Sequence, residues 1–418
     1  MNLEHLSGLL FTFAFILYAL AFVSYISILA SQKKIFKDLG AWLSLVGFVA
    51  HSVGLLLRWI AAGISHPPLT NLYESLLFFI WGIVLIHLFL LKKYKIHVIG
   101  IFSMMIVIVG MGLAALNPSK EIAPLVPALQ SYWLHMHVFF ASISYAFFLA
   151  SAIFALFYII KSEQTRPFIS AIFDAFSLFC LLLGTASSTL LLRPFSLNRI
   201  ELDHGKVMHT QELVSIPGLN WLCLLLVFLL LASIYNLFKD AKAKKRKNSS
   251  LANLLTWASF LTYAGFMLWL AVALFKIEGI SPASNPYKLG LLSLGFFIAV
   301  IHRLMFIKLN VFLQILPSEE MLDQLSYKSI IVSLPLLTLV VVTGSVWAHY
   351  TWGRYWGWDP KETWSLITWL IYAAYLHLRL QKGWAGLRTA IISLIGFMAV
   401  IFTYLGVNIL LSGLHAYG

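Results

Sequence analysis

The sequence is 418 residues long, with 61% hydrophobic and only 11% charged residues. This composition excludes an ordinary soluble globular protein and predicts a polytopic membrane protein. The formal net charge of +13 does not indicate a nucleic-acid-binding protein, because basic residues are expected to collect in the connections on one side of a bilayer, against its anionic lipids.

Apolar runs of about 20 residues, the length that crosses about 30 Å of hydrocarbon as a helix, recur along the whole chain. They predict an all-α fold, a bundle of about twelve transmembrane helices. The predicted spans are 8–30, 39–63, 74–91, 98–116, 132–160, 168–192, 216–238, 252–276, 287–307, 330–349, 363–380 and 389–410.

The basic residues predict the orientation of this bundle. Alternate connections, around 31–38, 92–97, 161–167, 239–250, 302–329 and 379–388, hold 20 of the 29 lysines and arginines. The positive-inside rule places these connections in the cytoplasm and both termini on the outer face. The first run follows no basic stretch or cleavage site, so we expect a permanent span instead of a signal peptide. The expected location is a bacterial cytoplasmic membrane.

The connection between the tenth and eleventh spans is rich in tryptophan. Six of the 14 tryptophans lie between positions 347 and 369, whereas an interfacial belt would distribute them over many spans. Arg354, Asp359, Lys361 and Glu362 lie among them. The pattern predicts a surface for a large flat ligand with ionised edges, and haem has that shape. Arg354 or Lys361 is expected to pair with a propionate, and Asp359 and Glu362 with those cations or with a helix start near Pro360.

Two histidines are predicted to lie level with this connection. His137 is close to the outer end of the fifth span and His415 follows the last span. Two imidazoles at that level can supply both axial ligands of a haem iron. Position alone is equally consistent with a second interpretation, in which His137 is an ordinary interfacial histidine and His415 is a residue of the terminal tail.

Deeper polar residues form a second group of candidates. His377 is expected about 20 Å below the outer surface by helix rise, and an ionisable residue at that depth is a functional candidate. His87 lies at a similar depth and is a weaker candidate for a second ligand, which a partner subunit could supply instead. Asp174, in the sixth span, predicts either a proton or ion site or a local hydrogen bond.

Several function classes lack their motifs. Cys180 and Cys223 form no CxxC or CxxCH, which excludes a thiol oxidoreductase and a c-type cytochrome. The sequence contains no HExxH, zinc-ligand spacing, Walker loop or GxGxxG, so zinc hydrolysis, ATP hydrolysis and dinucleotide binding are not predicted.

The tryptophan-rich motif WGWDPKETW at 356–364 resembles the WWD signature of haem-handling proteins in cytochrome c biogenesis. Other matching stretches are RW at 58–59, PLTNLYES at 68–75, WLHMHV at 133–138, TGSVWA at 343–348, YLHLR at 375–379 and the ending at 406–418. Together they resemble the CcsA (ResC) family, the integral membrane subunit of the system II cytochrome c synthase.

The resemblance implies roles for matching positions. His137 and His415 would ligate haem at the outer face, and His377 would ligate a haem within the membrane whose second ligand comes from a CcsB (ResB)-like partner. One or two molecules of haem b are expected. The outer haem would present its vinyl edge to the CxxCH motif of apocytochrome c, held by Trp352, Arg354, Trp356, Trp358, Asp359 and Trp364.

The resemblance covers about 1–165 and 315–418, which we expect to be two haem-handling membrane regions. Residues 166–314 are expected to be an inserted segment of four spans whose role the sequence does not indicate. The predicted function is haem presentation for thioether attachment, as a subunit of a cytochrome c haem lyase. Two alternatives stay open: a haem exporter without ligation activity, and a b-type electron-transfer subunit.

Overall fold

The computed structural model describes residues 2–63, 67, 69, 71–116, 120–122, 131–162, 166–189, 196–203, 206–245, 247–276, 286–381, 383–407 and 411. The long apolar runs form α-helices, in which each segment satisfies its own backbone hydrogen bonds, as hydrocarbon requires. The first six helices are α1 (Leu3–Ala30), α2 (Lys34–Ala62), α3 (Leu72–Tyr94), α4 (Ile99–Leu116), α5 (Tyr132–Ser162) and α6 (Arg166–Thr189).

The second half of the chain begins with a β-hairpin, β1 (Ser196–Asp203) and β2 (Lys206–Ser215). The remaining helices are α7 (Leu219–Lys242), α8 (Ser250–Lys276), α9 (Pro286–Ile307), α10 (Leu309–Ile315), α11 (Glu319–Trp352), α12 (Pro360–Gln381) and α13 (Leu387–Ile401), and α13 continues into a π-helical turn at Phe402–Gly406.

Within the described residues, ten helices are long and apolar enough to cross a membrane. The predicted class, a polytopic helical membrane protein, is therefore confirmed. Each of the twelve predicted spans coincides with a helix, but α4 is shorter than the ten and α12 is not among them. The number twelve and the side on which the termini lie stay predictions.

The hairpin lies between the predicted spans 168–192 and 216–238, where an all-α fold contains no strand. β1 and β2 pair antiparallel, with Leu197 opposite Val214 and an irregularity between Asn198 and Ile200. The fold is thus helical with one small sheet added to it.

The chain divides into two compact units. The first comprises Met1–Ala115, Ser119–Ser162 and Asn310–Gly418, and the second comprises Leu116–Pro118 and Glu163–Leu309. In the first unit, α5 packs along α11 and α13 through small side chains. The Ser151 hydroxyl lies 2.9 Å from the hydroxyls of both Ser326 and Ser393, and Ser144 donates to the carbonyl of Ser333 at 2.9 Å. Small residues let membrane helices approach closely and bond across the interface.

Helices α1 and α2 of the first unit pack through a seven-residue repeat. Aromatic rings of α1 pack against glycines of α2, and a Cβ at any of these glycines would lie 2.7–2.8 Å from a ring atom. The pairs are Gly40 with Tyr25, Gly47 with Tyr18 and Gly54 with Phe11. A seven-residue spacing keeps contacts on one face of each helix.

The ends of α2 and α3 are joined by a buried ion pair. Arg58 Nε lies 2.8 Å from Glu74 Oε1, and both side chains are almost fully buried. The Arg58 guanidinium also lies 5.0 Å from the ring centroid of Tyr73. Asn71 caps α3 by accepting from the backbone N–H of Glu74 at 2.9 Å. The RW and PLTNLYES motifs therefore meet in three dimensions.

Helix α11 is longer than the predicted span 330–349. It begins at Glu319, after Ser318, whose side chain accepts from the N–H of Met321. Its 34 residues extend for about 51 Å at 1.5 Å per residue, well beyond the thickness of a hydrocarbon core. Part of α11 is therefore expected to project from the membrane.

In the second unit, α6–α9 pack around a buried apolar core that includes Leu181, Leu226, Phe266 and Leu292. Tyr263 lies within this core, and its hydroxyl donates to the carbonyl of Leu292 at 3.0 Å. The unit therefore has a core of its own.

Candidate functional site

The candidate site begins with His137, near the start of α5. Its Nδ1 lies 2.9 Å from the carbonyl oxygen of Val340 on α11. A carbonyl oxygen can only accept, so Nδ1 carries the hydrogen, and in the neutral imidazole Nε2 then carries the lone pair. Histidines that ligate metals are commonly oriented in this way by a backbone carbonyl.

Gly344 makes this contact possible. A Cβ at position 344 would lie 2.7 Å from His137 Nδ1 and 2.8 Å from Cε1, which is closer than non-bonded atoms can approach. The absence of a side chain therefore lets the imidazole lie against α11.

Two tryptophans of α11 lie next to His137. The ring of Trp347 is 6.4 Å from the imidazole, with 27° between the planes, and Trp352 meets Trp347 edge-on at 5.2 Å. Leu69 and Leu134 pack with them. His137 thus forms one part of an aromatic and apolar wall.

The connection between α11 and α12 exposes further aromatic rings. Trp356 and Trp358 meet edge-on at 5.8 Å, and 69% of the Trp358 surface is exposed. The backbone of Trp358 has a φ of 56°, a left-handed conformation that is strained for a bulky residue. Trp358 is therefore held in a conformation that it would not adopt by itself.

Glu362 explains how this conformation is held. Its Oε2 accepts from the N–H of Gly357 at 2.8 Å and from the N–H of Asp359 at 3.1 Å, the two amides on either side of Trp358. Asp359 in turn accepts from the N–H of Lys361 at 3.3 Å. This reciprocal arrangement is similar to a capping box, with the Asp359 side chain accepting from the N–H of the second helical residue in place of the third. Asp359 and Glu362 thus cap α12, one of the two roles predicted for them.

Two cations lie in this connection or directly after it. The exposed Arg354 side chain lies over Gly357, where a Cβ would be 2.7 Å from the guanidinium carbon. Burial lowers the pKa of Lys361, in the first turn of α12, to about 8, although the Asp359 carboxylate acts in the opposite direction. An anionic ligand edge would favour the charged form of Lys361.

The other predicted residues of α12 have different surroundings. Trp364 packs against Phe402 of the π-helical turn, with 4.1 Å between ring centroids. His377 is exposed on α12, about 26 Å along the helix from Pro360 by helix rise. The structure therefore brings neither residue into the wall formed by His137, Trp347 and Trp352.

His87 is a core histidine in this structure. It is buried, its Nε2 lies 3.1 Å from the hydroxyl of Tyr25, and its Nδ1 lies 2.9 Å from the hydroxyl of Ser103. Because both ring nitrogens have protein partners, the geometry does not favour iron ligation by His87. His415, predicted as an outer ligand, lies outside the described residues.

Comparison with known proteins identifies the family. The family model for "Cytochrome C assembly protein" matches residues 69–415. The chain belongs to this family. It is 33% identical to "Cytochrome c biogenesis protein CcsA" of Porphyra purpurea over 422 residues, which cover 100% of this chain and 99% of that relative. The protein of the same name from Nostoc punctiforme is 32% identical over 369 residues, covering 86% of this chain and 83% of the relative.

The family match contains the whole candidate site. It begins at Leu69, which packs with Trp347, and ends at His415. The alignment with the Porphyra protein also runs through 166–314, the segment expected to be an insertion. This segment therefore has an aligned counterpart in that family member.

Three contributions to the site were missed from the sequence. Gly344, the Val340 carbonyl and the double role of Glu362 all depend on helix–helix or backbone contacts. One signal was present, because Gly344 belongs to the TGSVWA motif that resembled the family. The sequence alone did not indicate which imidazole this glycine accommodates.

Proposed function

We propose that this member of the cytochrome c assembly family binds haem at the His137 end of its first unit and presents it for thioether attachment to apocytochrome c. The observation that supports this proposal most directly is the orientation of the His137 imidazole beside Trp347 and Trp352, with Nδ1 bonded to a carbonyl so that a neutral ring has its lone pair on Nε2. An aromatic wall next to an oriented imidazole suits the flat ring and the iron of haem b.

The neighbouring residues can serve the other parts of the substrate. Arg354 and Lys361 supply positive charge for the propionates, and the partly exposed Trp356 and the exposed Trp358 supply apolar ring surface. By family resemblance, His415 is the second axial ligand. His377, exposed on α12, is proposed to meet a second haem together with a CcsB (ResB)-like partner.

Thioether formation requires little acid–base assistance from the chain. Each cysteine thiol of the CxxCH motif adds across one vinyl double bond, so that sulfur bonds to the inner carbon and the proton goes to the outer carbon. The residues of the chain hold the substrate in one orientation, and proximity is the main source of rate. The histidine of CxxCH then replaces His137 or His415 on the iron and releases the product.

A reporter cytochrome tests this function. The full chain and a CcsB-like partner are expressed with a soluble apocytochrome in cells that lack other haem lyases, and covalent haem is measured by pyridine haemochrome. We expect covalent cytochrome from the wild type and almost none from Trp356→Ala/Trp358→Ala. Trp221→Ala, which removes an exposed tryptophan of α7, is the matched control.

The same experiment separates the alternatives. A haem exporter would yield covalent product only after a separate lyase is added. A b-type electron-transfer subunit would keep its redox rate when Trp356 and Trp358 are replaced. Either result would contradict the proposed function.

A further inference from the structure

The second unit contains a buried polar cluster that the proposed function does not use. Each of its four helices contributes: Ser170 and Asp174 on α6, Ser233 on α7, Thr256 on α8 and His302 on α9, all almost fully buried. Burying a carboxylate within a membrane bundle is costly unless partners compensate it. The question is therefore which protonation states of Asp174 and His302 the surrounding groups can stabilise.

Hydrogen-bond donors on the Asp174 side are limited. Asp174 Oδ2 lies 2.7 Å from the Ser233 hydroxyl, which lies 3.0 Å from the Thr256 hydroxyl. Thr256 donates to the carbonyl of Ala252 at 2.6 Å. If Asp174 is ionised, Ser233 must donate to it, and no hydrogen remains for the contact between Ser233 and Thr256. If Asp174 is protonated, one ordered chain runs from Asp174 through Ser233 and Thr256 to the carbonyl.

The His302 side accepts either protonation state. His302 Nδ1 lies 3.6 Å from Asp174 Oδ1, and Nε2 lies 3.2 Å from the Ser170 hydroxyl. Ser170 accepts from the Asn248 side-chain amide at 3.3 Å. Its own hydrogen can point to a neutral Nε2, or its remaining lone pair can accept from a protonated one. Rotation of two hydroxyls therefore accommodates a change in proton number without movement of heavier atoms.

The other charged groups nearby have partners of their own, although Arg303 also interacts electrostatically with Asp174. Arg303 on α9 donates to the carbonyl of Thr256 at 2.6 Å and lies 4.9 Å from the ring of Trp257. On α7, Asp240 accepts from Lys245 Nζ and from the N–H of Ser249, both at 2.7 Å. The pair of Asp174 and His302 is thus the part of the cluster that can exchange a proton.

Polar contacts connect the His302 end of the cluster to the protein surface. Asn248 lies in the connection between α7 and α8, next to the lysine-rich stretch 242–247, and is partly exposed. Its bond to Ser170 completes a chain of polar contacts from that connection to His302. Beyond Asp174, Leu178 and Leu181 on α6 and Leu226 on α7 belong to the apolar core, so the chain of polar contacts described here reaches the surface at the connection between α7 and α8.

We propose that Asp174 and His302 form a proton-binding site in the second unit, which exchanges protons at the lysine-rich connection through Ser170 and Asn248. The site lies in the second unit and shares no residue with the proposed haem site of the first unit.

Infrared spectroscopy of the haem-free full chain in lipid tests this proposal. A protonated carboxyl group has a carbonyl stretch that disappears on ionisation. We expect one such band to titrate between about pH 5 and pH 9, a range reached by buried carboxyl groups, and to be absent in Asp174→Asn. Ser170→Ala should keep the band but slow its deuterium exchange about tenfold or more.

Asp323→Asn is the matched control, because Asp323 is held by Arg379 through both carboxylate oxygens and should not contribute to the band. Thermal unfolding of each variant checks that it is folded. The absence of a titrating carboxyl band in the wild type, which requires no substitution, would overturn the proposal. So would a titrating band that persists unchanged in Asp174→Asn.

Discussion

His137 Nδ1 and the carbonyl oxygen of Val340 lie 2.9 Å apart and join α5 to α11. The two residues are far apart in sequence, and their contact sets both the tautomer and the direction of the imidazole. It also places His137 beside Trp347, at the start of the tryptophan-rich connection. One hydrogen bond thus links the proposed iron ligand to the proposed haem surface.

Gly344→Ala should separate His137 from Val340. The added methyl group would lie within 2.8 Å of the imidazole, and overpacking of this kind typically costs about 1–3 kcal/mol. We expect lower thermal stability and, because the imidazole must turn away, at least about tenfold weaker haem binding, which corresponds to about 1.4 kcal/mol. Haem titration of the purified variant measures the effect.

Gly112→Ala is the control for Gly344→Ala, because a Cβ at position 112 has no neighbour within 4 Å. It should bind haem as the wild type does. Wild-type haem affinity in Gly344→Ala would show that the His137–Val340 contact is not needed.

Trp358 should respond differently to replacement by glycine and by alanine. Glycine adopts the observed φ of 56° without strain, whereas alanine does not, and the difference is about 1 kcal/mol. We expect Trp358→Gly to be the more stable variant in denaturant unfolding. Both variants should lose haem presentation equally. A more stable alanine variant would mean that residue 358 is not held in the left-handed conformation.

Glu362→Ala should release the backbone on both sides of Trp358, since it removes the acceptor for the N–H groups of Gly357 and Asp359. Loss of such a cap typically costs about 1 kcal/mol. Hydrogen exchange of the haem-free chain should become faster across 353–360. Glu362→Gln retains an acceptor oxygen and should restore most of the protection. Equal exchange rates in Glu362→Ala and the wild type would show that the Glu362 side chain does not hold this backbone in place.

Lys361 should make stability depend on pH. Its folded pKa of about 8 lies below the usual lysine value of about 10.4, so between these values the unfolded chain binds more protons than the folded chain. The free energy of unfolding of the haem-free protein should therefore rise as pH increases through this window. Lys361→Gln should abolish that rise, increase stability at neutral pH and weaken haem binding. A rise of equal size in Lys361→Gln would assign it to another group.

Much of the fold was predictable because hydrocarbon imposes simple rules. Runs of about 20 apolar residues gave the helices, and the sequence Asp359-Pro360 followed by Glu362 indicated the start of α12, which the structure places at Pro360. These features depend on residues close together in the chain.

Features that depend on distant residues were not predictable. The glycines of α2 and the rings of α1 recur at seven-residue intervals, but neither series indicates its partner. The roles of Gly344 and of the partners of His87 became visible only when helices were placed side by side. Helix α11 was predicted too short because its first eleven residues are polar enough to resemble a connection.

The most direct test of the central claim is the visible spectrum and pyridine haemochrome of the full chain purified from haem-replete cells, as wild type, His137→Ala and His135→Ala. We predict haem with two histidine ligands in the wild type and in His135→Ala. In His137→Ala the signal should be lost, apart from any fraction that then disappears with His377→Ala. Equal haem in His137→Ala and the wild type, or a wild-type chain without haem even when a CcsB-like partner is co-expressed, would contradict the account.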